Sequence, residues 1–267
     1  MRSIAFACGI APGLSPGETV AAAAAGGFDA VGIHVDPAAW TAQDTHEVRA
    51  RVADAGLFVL DVEVIWIRPD ASHAAHLRIL DVASKIGAIN VLAVIADPDL
   101  ARAGEAYAIL CREGAARGLR INLEFGVFTA VHRLADALAL VQAVDSPARG
   151  ILVDPIHLHR SGGSPAEVAA LPRDLLSYAQ FCDASASLPD LASPASILED
   201  ALDRRMQLGE GDLPLEPLLA ALPAGLPLSI ELRSKVLREA HPDPADRARA
   251  VARATRAFLA RFETIAP

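Results

Sequence analysis

The chain has 267 residues, of which 52% are hydrophobic, 21% charged and 4% aromatic; this excludes a disordered, collagen-like or disulfide-stapled protein and calls for an aliphatic core. Lys and Arg number 24 against 33 Asp and Glu, a net charge of −9 that repels a phosphate backbone and argues against nucleic acid as a partner. Cys8, Cys111 and Cys182 are odd in number, far apart and without a C-x-x-C pair, which argues against structural zinc or a disulfide framework and points to a reducing cytoplasm.

The N-terminal apolar run reads as a first strand over 3–8, interrupted too soon by Pro12 and Pro16 for a signal peptide or membrane span. Further short apolar or alternating runs predict strands at 29–35, 57–65, 89–95, 120–125, 150–154, 177–182 and 227–231. Between them, Ala-rich and Leu-rich segments predict helices at 16–26, 45–55, 71–87, 99–117, 129–144, 164–171, 193–203 and 214–222, with a last amphipathic helix at 243–263. Strand followed by helix, eight times over, predicts an α/β fold of the (β/α)8 TIM barrel type, residues 1–267 forming one domain with a C-terminal helix. A doubly wound sheet is the alternative, but the first turn, Gly9-Ile10-Ala11-Pro12-Gly13, is not G-x-G-x-x-G, and no G-x-x-x-x-G-K-[ST] occurs.

In such a barrel, chemistry belongs at the C-terminal strand ends. Strand three carries Glu63 and strand five Glu124; strand six ends on Asp154, followed by His157, His159 and Arg160; strand seven offers Gln180 and Asp183; strand eight ends on Glu231. Residues two apart share a face, so Asp61 with Glu63, Asn122 with Glu124, Tyr178 with Gln180 and Ser229 with Glu231 turn to the barrel axis. Inward carboxylates on strands five, six and eight then converge, and like charges at that range push each other's pKa up. A divalent cation resolves the conflict. Glu124, Asp154, Gln180 and Glu231 form an all-oxygen set with three negative charges, which suits Mn²⁺ or Mg²⁺ and suits Zn²⁺ or Co²⁺ less well.

These residues, together with Gly118 to Phe125, Asp154-Pro155-Ile156-His157, Gln180-Phe181-Cys182-Asp183 and the Arg205-x-x-x-Gly209-Glu210-Gly211 loop, resemble the sugar phosphate isomerase/epimerase superfamily. This is the xylose isomerase-like TIM barrel group, also called AP endonuclease family 2. The resemblance spans nearly the whole chain. It implies metal ligation by Glu124, Asp154, Gln180 and Glu231, and a His157 that lies beside substrate and metal. It further implies proton abstraction next to a carbonyl, with the ion as Lewis acid and Glu124 and Glu231 exchanging protons with the substrate. Many epimerases of the group have His where Gln180 stands; Gln occurs in the branch resembling 3-dehydroshikimate dehydratases. Arg68 also follows strand three where that branch has an arginine.

The expected activity is therefore a metal-dependent sugar, keto-polyol or sugar phosphate isomerase or epimerase. The alternative is a lyase resembling 3-dehydroshikimate or keto-inositol dehydratases, in which His157 carries the proton. A His-rich zinc endonuclease fits neither the oxygen ligands nor the net charge of −9, and a non-catalytic binding protein on the same barrel remains open, as does a homo-oligomer. Glu63 is either a substrate hydrogen-bonder or a partner for Arg68; His34, His159, Arg160 and Arg205 are further candidates for substrate contact. Glu210 clamps substrate or only caps its loop, Cys182 reads as a small buried residue, Trp40 and Trp66 as walls or packing, and His73, His76, His132 and His241 as solvated.

Overall fold

The computed structural model describes residues 2–265. Its strands are β1 (Ile4–Phe6), β2 (Ala30–His34), β3 (Phe58–Ile67), β4 (Asn90–Ile95), β5 (Arg120–Glu124), β6 (Arg149–Leu152), β7 (Ala179–Phe181) and β8 (Leu228–Ile230). All pair in parallel in the order β6-β5-β4-β3-β2-β1-β8-β7. A parallel bridge between Val153 and Ala179 brings the two ends together, with Gln180 N donating to Val153 O at 3.1 Å, so the sheet forms a nearly closed (β/α)8 barrel.

The helices are α1 (Pro16–Gly26), α2 (Ala42–Ala55), α3 (His73–Lys85), α4 (Leu100–Ala115), α5 (Leu134–Gln142), α6 (Pro155–Arg160), α7 (Pro165–Ala169), α8 (Pro194–Asp203), α9 (Leu215–Ala221), α10 (Lys235–Ala240) and α11 (Pro244–Ile265). Their starts are written in the sequence. Ser15 and Glu18 form a reciprocal capping box on α1, and Thr41 and Asp44 do the same on α2. α11 lies against α1 as the C-terminal helix.

Two helices, α6 and α10, lie outside the segments expected to be helical. Asp154 caps α6 by accepting from Ile156 N at 2.9 Å, with Pro155 in the first helical position. The expected helix at 129–144 starts only at Leu134, because Thr129 Oγ1 bonds Val131 O and Gly126 O and folds that stretch into a turn. β3 is longer than expected, and its register slips against β4 between Val62 and Ile65. Through that bulge the consecutive residues Glu63 and Val64 both reach the cavity at the barrel mouth.

Aliphatic side chains such as Ile4, Val31, Ile121 and Ile151 fill the space between barrel and helices, while Ala5, Ala30, Leu60, Leu92, Leu152 and Tyr178 fill the barrel itself. The axis is not wholly apolar. Asn122 Nδ2 donates to Asn90 Oδ1 at 3.1 Å and Ser177 Oγ to both amides, and Asp61 lies opposite Ser229. Asp61 fits because β2 has glycine beside it: a Cβ on Gly32 would sit 3.1 Å from either carboxylate oxygen.

Candidate metal and substrate site

Glu124 is the last residue of β5, Asp154 stands between β6 and α6, Gln180 is central in β7 and Glu231 follows β8. The α6 helix, whose cap is Asp154 itself, returns His157 to the same spot three residues later. Ligand atoms of Glu124, Asp154 and His157 lie within 4.8 Å of one another, all buried. His157 Nε2 is 3.8 Å from Glu124 Oε1 and 3.9 Å from Asp154 Oδ2. The expected all-oxygen set thus has an imidazole in its midst, which leaves room for Zn²⁺ as well as Mn²⁺ or Mg²⁺.

Gln180 Nε2 donates to Glu63 Oε1 at 3.2 Å, and its buried Oε1 has no partner among the described residues. A buried amide oxygen without a donor is costly unless a cation or water meets it. Glu231 lies outside the 4.8 Å group and is gripped by two guanidinium groups, with Arg205 Nη2 at 3.0 Å from Oε2 and Arg233 Nε at 3.0 Å from Oε1. Arg205 also donates to Asp154 Oδ2 at 2.6 Å and to Ala201 O at 2.8 Å. Gly9 makes room for Arg233, since a Cβ there would come within 2.8 Å of its Nε.

The acids are pushed apart electrostatically. Burial, with Glu231 and Asp154 nearby, holds the Glu124 carboxyl well above its usual value. Burial would raise Asp154 too, but Arg205 and His157 outweigh it and hold that carboxyl low. Burial keeps His157 below the ordinary imidazole value and so neutral; its Nε2 accepts from Arg205 Nη2 at 3.4 Å. Glu63 is raised by burial and by Glu231, and it accepts from Cys8 Sγ at 3.1 Å.

The cavity here measures about 200 Å³ and is bordered by Glu63, Glu124, His157, Gln180, Arg205, Glu231 and Arg233. Gly126 lets Phe128 fold back over His157, the ring centroids 4.6 Å apart, and Trp66 meets Phe128 edge-on at 6.4 Å. Trp66 is therefore a wall of this cavity. Trp40 borders a second cavity of about 490 Å³ with Cys8, His34, Asp36 and Arg233.

Four expected contacts fall elsewhere. Arg68 is exposed beyond the rim because β3 runs on to Ile67, and it stacks on Trp66 at 4.9 Å instead of pairing with Glu63. His34 is exposed and borders the second cavity, not the one holding Glu124. Arg160 is buried in a bidentate pair with Asp200, at 2.8 and 3.1 Å, and donates to Ser185 O, which ties α6 to α8. His159 Nδ1 bonds Arg160 Nη1 at 2.9 Å; neither residue borders the cavity. Glu210 stays within its loop, accepting from Gln207 Nε2 at 3.1 Å, and His76, read as solvated, bonds Trp66 O at 3.1 Å. Cys182 is buried 3.3 Å from Arg205 Nη1, its thiol raised by burial. Arg233 and Phe128 escaped the sequence reading. For Arg233 the signal was its place two residues beyond Glu231, on the same face.

The family model of the xylose isomerase-like TIM barrel matches residues 20–258. The chain is 28% identical over 242 residues to a 3-dehydroshikimate dehydratase of Pseudomonas putida, a match covering 84% of this chain and 37% of that longer protein. It superposes on the structure of the IOLI protein with a bound zinc atom at a TM-score of 0.81, 14% identity, covering 98% of this chain and 99% of the other. A D-allulose 3-epimerase of Methylomonas sp. in complex with D-allulose follows the fold at a TM-score of 0.73 and 15% identity, covering 96% and 97%. No helix among the described residues is long and apolar enough to cross a membrane. The chain belongs to the xylose isomerase-like TIM barrel family.

Proposed function

We propose that the chain is a divalent-metal-dependent isomerase or epimerase of a sugar, keto-polyol or sugar phosphate, working by proton abstraction next to a carbonyl. The observation that carries this reading is the buried group of Glu124, Asp154 and His157 at the barrel mouth, beside a Gln180 Oε1 that has no partner among the described residues. Glu124, Asp154, Gln180 and Glu231 would hold Mn²⁺ or Mg²⁺, with the His157 nitrogen in reach. When bound, the ion supplies Lewis-acid polarisation of a carbonyl oxygen.

The protein's own groups supply the proton transfers. Glu231, held by Arg205 and Arg233, takes the proton from the carbon next to the carbonyl. Glu124, on the neighbouring β5 side of the cavity, exchanges a proton with the adjacent carbon or with the other face. Glu63, oriented by Cys8 and Gln180, accepts from a substrate hydroxyl. Trp66 and Phe128 exclude water. The free thiols Cys8, Cys111 and Cys182 support a reducing, cytoplasmic setting.

A lyase reading is favoured by one specific observation, the 28% identity to a 3-dehydroshikimate dehydratase. In that case a β-hydroxyl leaves as water after the same proton abstraction, its proton carried by the His157 imidazole. The first test is a thermal melt with Mn²⁺, Mg²⁺ and Zn²⁺, in which binding raises the transition; an unchanged curve with every ion overturns the metal reading. With substrate, Glu231→Gln abolishes exchange of the α-hydrogen for solvent deuterium, and a conjugated ultraviolet chromophore appears only if water is lost.

A further inference from the structure

The lining of the cavity next to Glu124 has two chemistries. Its ionic residues are Glu63 at the inner end of the β3 bulge and those of β5, α6, β7 and β8 and the segments that follow them. From β3, β4, the turn after β5 and α8 come Trp66, Leu92, Val94, Phe128, Leu198 and Leu202, and the indole N–H of Trp66 is the one polar side-chain atom these six carry. Leu198 and Leu202 are 51% and 41% exposed, so the protein leaves this side of α8 uncovered where it borders the cavity. Phe128 packs on His157 itself, which starts the apolar wall directly beside the catalytic groups.

A hydroxyl pressed against such a wall loses its water and gains no partner, which weakens binding about ten-fold for each group. A methylene in the same place gains by burial. The volume, about 200 Å³, is below the ~300–1,000 Å³ of ordinary ligand pockets and selects a compact molecule. We propose that the site takes a compact α-hydroxy-ketone with one hydroxyl-free hydrocarbon flank, the flank covering Leu198, Leu202 and Phe128, in preference to a fully hydroxylated ketose. This inference rests on the proton-transfer reading and adds the substrate class to it.

The test compares two six-carbon hydroxy-ketones on the metal-loaded protein, 2-hydroxycyclohexanone and D-fructose, by deuterium exchange followed by NMR and by equilibrium dialysis. The ring compound is expected to exchange with a kcat/KM at least about ten-fold higher and to bind correspondingly tighter. Replacing both exposed leucines, Leu198→Asn with Leu202→Asn, is expected to bring the two probes within about two-fold of each other, with the metal-induced rise in melting temperature intact as evidence of folding. D-fructose bound and turned over as well as the ring compound overturns the hydroxyl-free flank, as does a preference that survives the leucine replacements. Exchange with neither probe overturns the proton-transfer reading itself. Dialysis then still reports the flank: tighter binding of the ring compound upholds it, and equal or absent binding overturns it.

Discussion

Glu124 and Asp154 belong to one buried group, yet their surroundings treat them oppositely. Asp154 has Arg205 at 2.6 Å and its carboxyl is held low. The contact the structure gives Glu124 is His157 Nε2 at 3.8 Å, and burial beside Glu231 and Asp154 keeps its carboxyl well above the usual range. Its proton is the one an incoming cation must displace. Below the raised value Glu124 is protonated and binding releases a proton, so apparent affinity for Mn²⁺ climbs about ten-fold per pH unit and levels off once Glu124 is ionised in the free protein. Calorimetric titration across pH in buffers of different ionisation heat checks both slope and proton release; a flat profile rules Glu124 out as the titrating ligand. The acids were legible because strand alternation counts inward side chains. The cations were harder to read: Arg205 arrives from beyond α8, where no periodicity assigns a direction, and Arg233 lies past the end of β8, where its spacing from Glu231 is the one cue.

The strands were visible in the sequence because every one is a short apolar or alternating run, and the long helices because their caps and periods are strong. The short α6 has a helix start in Asp154-Pro155, but with His157, His159 and Arg160 among its six residues it carries no apolar period that would mark it as a helix. Asp183 shows what an element needs that a motif does not announce. Its carboxylate accepts from four backbone N–H groups, Ala184 at 2.8 Å, Gly209 and Gly211 at 3.0 Å and Leu213 at 3.1 Å. The Gly-Glu-Gly motif is thus a loop fastened onto a buried acid, and a Cβ on Gly211 would lie 2.4 Å from Ala184 O. Asp183→Asn puts an amide donor where four donors already converge and destabilises the protein by about 1–3 kcal/mol; Gly211→Ala acts in the same direction through overpacking. Hydrogen exchange locates the effect: the amides of Gly209, Gly211 and Leu213 lose protection in Asp183→Asn, and unchanged protection there disproves the fastening role.

At the scale of the whole molecule, the barrel carries polar groups down its axis where an aliphatic filling was available. Asn90, Asn122 and Ser177 satisfy one another, but Asp61 does not fit so well. Its Oδ1 meets Ser229 Oγ at 3.4 Å, its Oδ2 meets no donor among the described residues, and the Glu63 carboxyl lies against it. Burial, with Glu63 and Glu231 above it, pushes the Asp61 carboxyl well up, so the folded barrel favours its protonated form. An acid raised on folding contributes its full stability below its unfolded pKa, about 3.9, and loses it as pH rises from there towards the folded value, by up to about 1.4 kcal/mol per pH unit. Asp61→Asn has nearly the same shape and cannot ionise. The variant therefore matches the wild type in acid and exceeds it increasingly as pH rises, the excess levelling off only above the folded pKa. Urea unfolding of the metal-free protein at about pH 5 and pH 8 measures the gap between the two; a gap that is the same at both would show that Asp61 is already ionised in the folded barrel.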